Sequence, residues 1–128
     1  PYTTLFRSLK LLKIDDIFSI SKIKFYHIFV NNKLPENLQK LPLKLNQDTH
    51  RYATRRSGHI YRPKFNHSYA KNCVRIDLPD TINKLPTIIR EKIYTHSLQG
   101  VAKYMKNYYM QNYEENCTVQ NCYICQNQ

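Results

Sequence analysis

The sequence predicts a mainly α-helical unit, small in size, in which two amphipathic helices flank an extended basic segment. Apolar residues recur at helical spacing near both ends of the 128-residue chain, whereas its middle has no sustained period. Lys and Arg number 20 against 9 Asp and Glu, which gives a net charge of +11. This length fits one domain, and the charge indicates a partner that is acidic.

Composition excludes two classes of protein. No run of about 18 apolar residues occurs, so the chain is predicted to have no membrane partner. Glycine occurs only at Gly58 and Gly100, which cannot supply a GxGxxG or Walker-type phosphate loop and so exclude enzymes that cradle a nucleotide. No basic stretch followed by an apolar leader is visible, so we expect an intracellular protein of the nucleus or cytoplasm.

Residues 14–30 are the first predicted helix, because this apolar run is too long for a typical strand. Asp15 and Asp16 fall in its first turn, where the helix dipole favours negative charge, and we interpret them as helix-start electrostatics rather than a catalytic metal site. His27, among aromatic residues, is interpreted as structural. The predicted apolar face consists of Ile14, Ile17, Phe18, Phe25, Ile28 and Phe29.

The middle of the chain is divided by prolines. Residues 35–41 are predicted as a short helix, and residues 43–69 as the basic segment, with a short strand near residues 59–62. Residues 71–78 and 81–85 are predicted as two helical pieces separated by Pro79. A further helix is predicted for residues 87–94, after Pro86.

The last predicted helix has the clearest periodicity. Ser97 is a good N-cap, and the helix is expected to run to Tyr113 or Glu114. Its tyrosines are interpreted as core and rim rather than as a base-stacking platform. The apolar face consists of Leu98, Val101, Ala102, Met105, Tyr108 and Tyr109. We expect this helix to pack on the first.

Nucleic-acid binding is the function that the basic segment indicates. Between His50 and Arg75 there is no Asp or Glu, and tyrosines alternate with the cations. Arg and Lys neutralise phosphates, and aromatic rings stack on unpaired bases. An ordinary solvated loop is the alternative, and the choice between DNA and RNA is left open. The candidate binding residues are Arg51, Tyr52, Arg55, Arg56, Tyr61, Arg62, Lys64, Lys71 and Arg75.

Three of the four cysteines lie near the C-terminus in a Cys-x4-Cys-x2-Cys pattern: Cys117, Cys122 and Cys125. A Cys-x2-Cys knuckle is common in structural zinc sites, which need four ligands. A fourth ligand here is a distant residue such as His96, or lies outside the sequence. The alternative is a tail, residues 117–128, with reduced thiols and no metal. No enzyme is predicted, because no nucleophile or acid–base set can be assembled.

Residues 1–8 look like the translation of a common sequencing adapter, so we expect an artefact joined to a helical region at residues 9–116; an ordinary N-terminal tail is the alternative. Several short motifs come next in order: Ile14-Asp15-Asp16-Ile17-Phe18 with Lys24-Phe25-Tyr26, Asn32-Lys33-Leu34-Pro35, His50-Arg51-Tyr52-Ala53-Thr54-Arg55, Ile60-Tyr61-Arg62-Pro63-Lys64-Phe65-Asn66, Cys73-Val74-Arg75, Leu85-Pro86 with Ile88 and Ile89, and Ser97-Leu98 with Lys103-Tyr104.

In that order the motifs resemble the C-terminal region of non-LTR, jockey-like retrotransposon polyproteins, whose main domain is a reverse transcriptase. Ala53 and Ile82 depart from the Asn and Trp that are frequent in the family. The resemblance implies a non-catalytic post-polymerase fragment of an RNA-directed DNA polymerase, part of a larger polyprotein, that contacts template RNA or target DNA. A protein-interaction module docking on an acidic partner, a small zinc-binding domain and a non-functional pseudogene fragment remain alternatives.

Overall fold

The computed structural model describes residues 9–115, and side chains as far as Tyr113. Within this range the chain forms helices and no β-strand, which confirms the mainly α prediction. An isolated antiparallel bridge joins Leu45 to Ile60. The helices are α1 (Ile14–Val30), α2 (Glu36–Gln39), α3 (Asn46–Thr49), α4 (Val74–Asn83), α5 (Thr87–Thr95) and α6 (Leu98–Glu115), with a 3-10 turn at Ser68–Asn72 before α4.

Helix α1 lies at the centre of the bundle. It packs against α6, α4 and α5, so the prediction that the first and last long helices contact each other is confirmed. Burying these apolar side chains is the main stabilising term for a unit of this size. The core side chains are Ile23, Tyr26, Ile60, Leu78, Ile82, Leu85, Ile89, Ile93, Val101 and Met105.

The bounds of α1 match the prediction, but the predicted apolar face is wrong over the first half of the helix. Ile14 and Phe18 are 67% and 59% exposed, whereas Ile23 is fully buried and Tyr26 nearly so. Because α1 carries apolar residues on more than one side, two different faces show helical spacing of apolar residues. Only the packing of the neighbouring helices determines which face is buried. His27 lies on the buried face, where its Nε2 donates a hydrogen bond to the carbonyl oxygen of His96 at 2.8 Å.

Helix α4 is continuous, which corrects the prediction that Pro79 divides it. Proline removes one backbone donor, and here the orphaned acceptor is the carbonyl of Arg75, near the exposed start of the helix. The Pro79 ring itself is fully buried, so its burial offsets the lost hydrogen bond. Helix α6 begins as predicted, because the Gly100 N–H donates to Ser97 Oγ at 3.2 Å.

The far end of α6 is joined to the start of α1 through Tyr113. The backbone N–H of Lys13 donates to the Tyr113 hydroxyl oxygen at 2.8 Å, and that hydroxyl donates to the carboxylate of Asp16. Burial and the bond to Asp16 raise the pKa of Tyr113 to about 12. Asp16 therefore has two roles. Its negative charge lies in the first turn of α1, where the helix dipole favours it, and its carboxylate accepts the hydrogen bond from Tyr113 of α6. No helix in residues 9–115 has the length and apolar character needed to cross a bilayer.

We expect Tyr113→Phe to lower the free energy of unfolding by about 1 to 2 kcal/mol, because the Asp16 carboxylate and the Lys13 amide lose a partner. The contribution of Tyr113 is complete below about pH 10, where tyrosine is neutral in both states. It is lost between that pH and about 12, because the unfolded side chain ionises first. The wild-type and Tyr113→Phe stabilities should therefore converge in alkaline urea titrations.

Tyr69→Phe is the matched control, because Tyr69 is 74% exposed. Equal stability of the two variants at neutral pH would contradict the role given to the Tyr113 hydroxyl.

Candidate nucleic-acid interface

The central part of the basic segment is a closed loop, residues 46–59, which we call the basic loop. The Asn46 N–H donates to the His59 carbonyl at 2.8 Å, and the Tyr61 N–H donates to the Lys44 carbonyl at 2.7 Å. These two bonds flank the Leu45–Ile60 bridge and close the neck of the loop. The strand predicted near residues 59–62 is limited to this one bridge.

Asn83, the last residue of α4, bonds the edge of Ile60 that this bridge leaves unpaired. In such an antiparallel arrangement the N–H and C=O of Ile60 point away from Leu45. The Asn83 side chain receives both: Ile60 N–H donates to Oδ1 at 2.9 Å, and Nδ2 donates to the Ile60 carbonyl at 2.9 Å. The Ile60 side chain is 2% exposed and belongs to the core. The basic loop is thus held to α4 at one buried residue.

Inside the loop, short-range hydrogen bonds fix the backbone. The one-turn helix α3 begins the loop, and its Asn46 Nδ2 donates to the Arg56 carbonyl at 2.9 Å. The His59 N–H donates to the same Arg56 carbonyl at 3.0 Å, which defines a turn over residues 56–59. The segment therefore has local order even though its side chains are largely exposed.

All nine predicted binding residues are exposed. Three of them, Arg56, Tyr61 and Arg62, line one cleft of about 470 Å³ between the basic loop and α4. The others do not join them there. Lys71 lines a neighbouring cleft, which Arg62 also lines. A third cleft is lined by Lys64 and Arg75. The remaining three residues, Arg51, Tyr52 and Arg55, lie on the basic loop outside these clefts.

Arg62 differs from the other predicted cations because it is paired. Its guanidinium forms an ion pair with the carboxylate of Asp80 on α4 and lies 5.0 Å from the ring centroid of Phe65. The other six cations form no ion pair with any residue in the described range: Arg51, Arg55, Arg56, Lys64, Lys71 and Arg75. Most of the positive charge of the segment is therefore not neutralised within this part of the fold.

Two cations near the cleft lie outside the basic segment, so they are not among the residues predicted from the sequence. Lys84, just after α4, lines the cleft together with Arg56, and the charge of Arg90 on α5 influences the pKa of His59. Burial lowers the pKa of His59, and the charges of Arg90 and Arg56 lower it further. Chain folding brings these residues together over more than 20 positions, so no local pattern predicts them.

Aromatic side chains supply flat surfaces beside the charges. Tyr52 on the basic loop is 81% exposed. His67 and Tyr69 stack on each other with ring centroids 5.4 Å apart. Exposed rings of this kind are suited to stacking on unpaired bases.

The predicted zinc ligands Cys117, Cys122 and Cys125 lie outside the described residues. Between residues 9 and 115 no group of three or more His, Cys, Asp or Glu side chains is placed to hold a metal ion. Cys73 is an exposed free thiol.

Comparison with protein-family models, with curated proteins and with solved structures finds no match to this chain. The resemblance to retrotransposon polyproteins therefore stays a prediction that depends on the order of its motifs.

We expect Asn83→Ala to lower the free energy of unfolding by about 2 kcal/mol or more, because it leaves a buried donor and a buried acceptor of Ile60 unsatisfied. Urea denaturation followed by circular dichroism measures this loss. Amide hydrogen exchange at Ile60 should also become faster. Asn107→Ala is the control, because Asn107 is exposed on α6. If the two variants unfold at the same urea concentration, Asn83 does not hold the loop.

Proposed function

We propose that this chain binds the sugar–phosphate backbone of nucleic acid through the basic loop and the surface that continues from it. One observation carries the proposal: six exposed cations within residues 50–75 have no ion pair in the described part of the fold. Exposed cations without an ion pair are free to neutralise phosphates, and the counterions that a polyanion then releases drive its binding.

The exposed tyrosines extend the proposal to single strands. Tyr52 is solvent-exposed among arginines, so a base stacked on its ring lies next to cations that contact the adjoining phosphates. Phosphate contact and ring stacking do not depend on base identity, so binding is expected to show little sequence preference.

The motif resemblance suggests the protein to which this binding region belongs. As part of the same proposal, the chain is a non-catalytic post-polymerase region of a mobile-element RNA-directed DNA polymerase, and its ligand is template RNA or target DNA. In support, the family-like motif at residues 50–55 lies on the basic loop. Recovery of an upstream reading frame that encodes a polymerase palm domain is the direct test.

Docking on an acidic protein is the second candidate function, and an apolar surface favours it. Phe18, Phe25, Val74 and Leu78 line a cleft of about 260 Å³ between α1 and α4, together with Lys22 and Asp77, which form an ion pair. An amphipathic helix fits such an apolar surface, and the net charge of +11 favours an acidic one. This second function is favoured if an acidic protein displaces a bound oligonucleotide from the chain but the oligonucleotide does not displace the bound acidic protein.

We expect the triple variant Arg51→Ala, Arg55→Ala, Arg56→Ala to bind a fluorescent single-stranded oligonucleotide at least tenfold more weakly at low salt. The slope of log affinity against log salt should become shallower by about 2, because three phosphate contacts are removed. The loss should be similar for oligonucleotides of unrelated sequence. Fluorescence anisotropy across a salt series measures all three quantities.

The matched control removes three exposed lysines outside the basic segment, Lys24→Ala, Lys103→Ala, Lys106→Ala. Its loss of affinity should be clearly smaller. A wild-type response that is flat with salt, or equal losses in the two triple variants, overturns the proposed interface.

We expect Asp80→Asn to bind the same oligonucleotide about twofold to fivefold more tightly at low salt, because it releases Arg62 from its ion pair. Asp15→Asn removes the same charge from an exposed position at the start of α1. Equal gains in the two variants would show that only net charge matters and that Arg62 is not part of the interface.

A further inference from the structure

We propose that the cleft between the basic loop and α4 is a specific site for one phosphodiester group, with Arg56 and Lys84 as its cationic groups and the His59 imidazole as a further donor. This inference rests on the proposed nucleic-acid function and deepens it. It assigns one phosphate of the nucleic acid to a defined cleft. The exposed residues Arg51 and Arg55 contact the sugar–phosphate backbone in the proposed function, but they do not line this cleft.

One wall of the cleft is the turn over residues 56–59. Residues at the first and fourth positions of a turn lie within about 7 Å of each other at their Cα atoms, so Arg56 and His59 are close. Asn46 fixes both, because its N–H donates to the His59 carbonyl and its Nδ2 donates to the Arg56 carbonyl. The backbone that carries these two side chains is thus held in place before any ligand arrives, which lowers the entropy cost of binding.

The opposite wall comes from α4 and the residue that follows it. Lys84 is exposed and forms no ion pair within the described residues. Asp80 also faces the cleft, but its carboxylate is paired with Arg62. With that pair neutral overall, Arg56 and Lys84 leave the cleft positive before any histidine is protonated.

His59 makes the site sensitive to protons. The pKa of His59 is lowered by burial, by Arg90 on α5 and by Arg56, so its imidazole is neutral at physiological pH. The other charged or titratable groups of the cleft are His50, Tyr61, Arg62, Asp80 and Lys84.

A phosphate placed between Arg56 and His59 compensates the neighbouring guanidinium and stabilises the imidazolium. Binding therefore takes up a proton and becomes stronger as the pH falls. A phosphodiester keeps a single negative charge across this range, so the change belongs to the protein.

Tyr61 favours nucleic acid as the source of the phosphodiester. It lines the same cleft, and its ring is 38% exposed. A nucleotide presents a base that stacks on such a ring, whereas a phospholipid headgroup presents none.

The first experiment titrates the intact protein with dimethyl phosphate and follows the histidine ring protons by NMR. We expect saturable shifts at His59, smaller ones at His50, and none at His67, which does not line the cleft. The pKa of His59 should rise in the presence of dimethyl phosphate. Absence of any shift at His59 overturns the site, even if oligonucleotides still bind and the proposed function stands.

The second experiment measures oligonucleotide affinity at about pH 5.5 and about pH 7.5. We expect wild-type binding to be at least about threefold tighter at the lower pH, and His59→Gln to lose most of that difference. His96→Gln is the control, since His96 is exposed, lies outside the basic segment and does not line the cleft. Equal pH responses in the two variants overturn the site.

The results separate the two proposals. Dimethyl phosphate that shifts His59 without oligonucleotide binding overturns the proposed function and leaves the phosphodiester site. Phosphatidylglycerol vesicles that displace dimethyl phosphate more effectively than the oligonucleotide does overturn nucleic acid as the source. If His59→Gln fails to fold, the wild-type NMR titration still decides the question.

Discussion

The attachment of Ile60 to Asn83 is the constraint on which the surface depends. The basic loop contains no hydrophobic cluster of its own, and its arginines are exposed. Ile60 carries the loop into the core, where its side chain is 2% exposed, and the partly buried Leu45 packs against the same core at the other end of the neck. Asn83 satisfies both peptide groups that this burial removes from water. A buried residue whose backbone is fully bonded can hold a segment that neither strand pairing nor its own packing supports.

This attachment has a consequence for electrostatics. Arginines in a solvated loop repel each other only weakly at physiological ionic strength, so the fold tolerates them without counter-charges. Arg62 is the exception: it lies against α4 and is paired with Asp80 there. The six cations that stay unpaired are all exposed to solvent. A surface already held in its binding geometry loses less conformational entropy when a polyanion binds.

Helical periodicity predicts the elements well and their faces less well. Both bounds of α1 follow from the sequence, but its phase does not, because apolar side chains such as Ile14 and Ile23 surround the helix. Local rules also place a break at Pro79, whereas burial of its ring keeps α4 whole. For the site, the absence of acids within residues 50–75 predicts exposed cations. It does not predict Asp80, Asn83 or Lys84, because these meet the loop only through the tertiary fold.

The closed neck at Leu45 and Ile60 also bears on how such a chain can change over generations. Because the two ends of residues 46–59 meet at the bridge, insertion of further residues within its exposed part, residues 51–53, leaves the bonds of Asn46 in place and costs mainly loop-closure entropy, which grows slowly with length. Helix register and core composition are untouched by such insertions. Related chains are thus free to differ in the number of arginines that they carry at this position while sharing one scaffold.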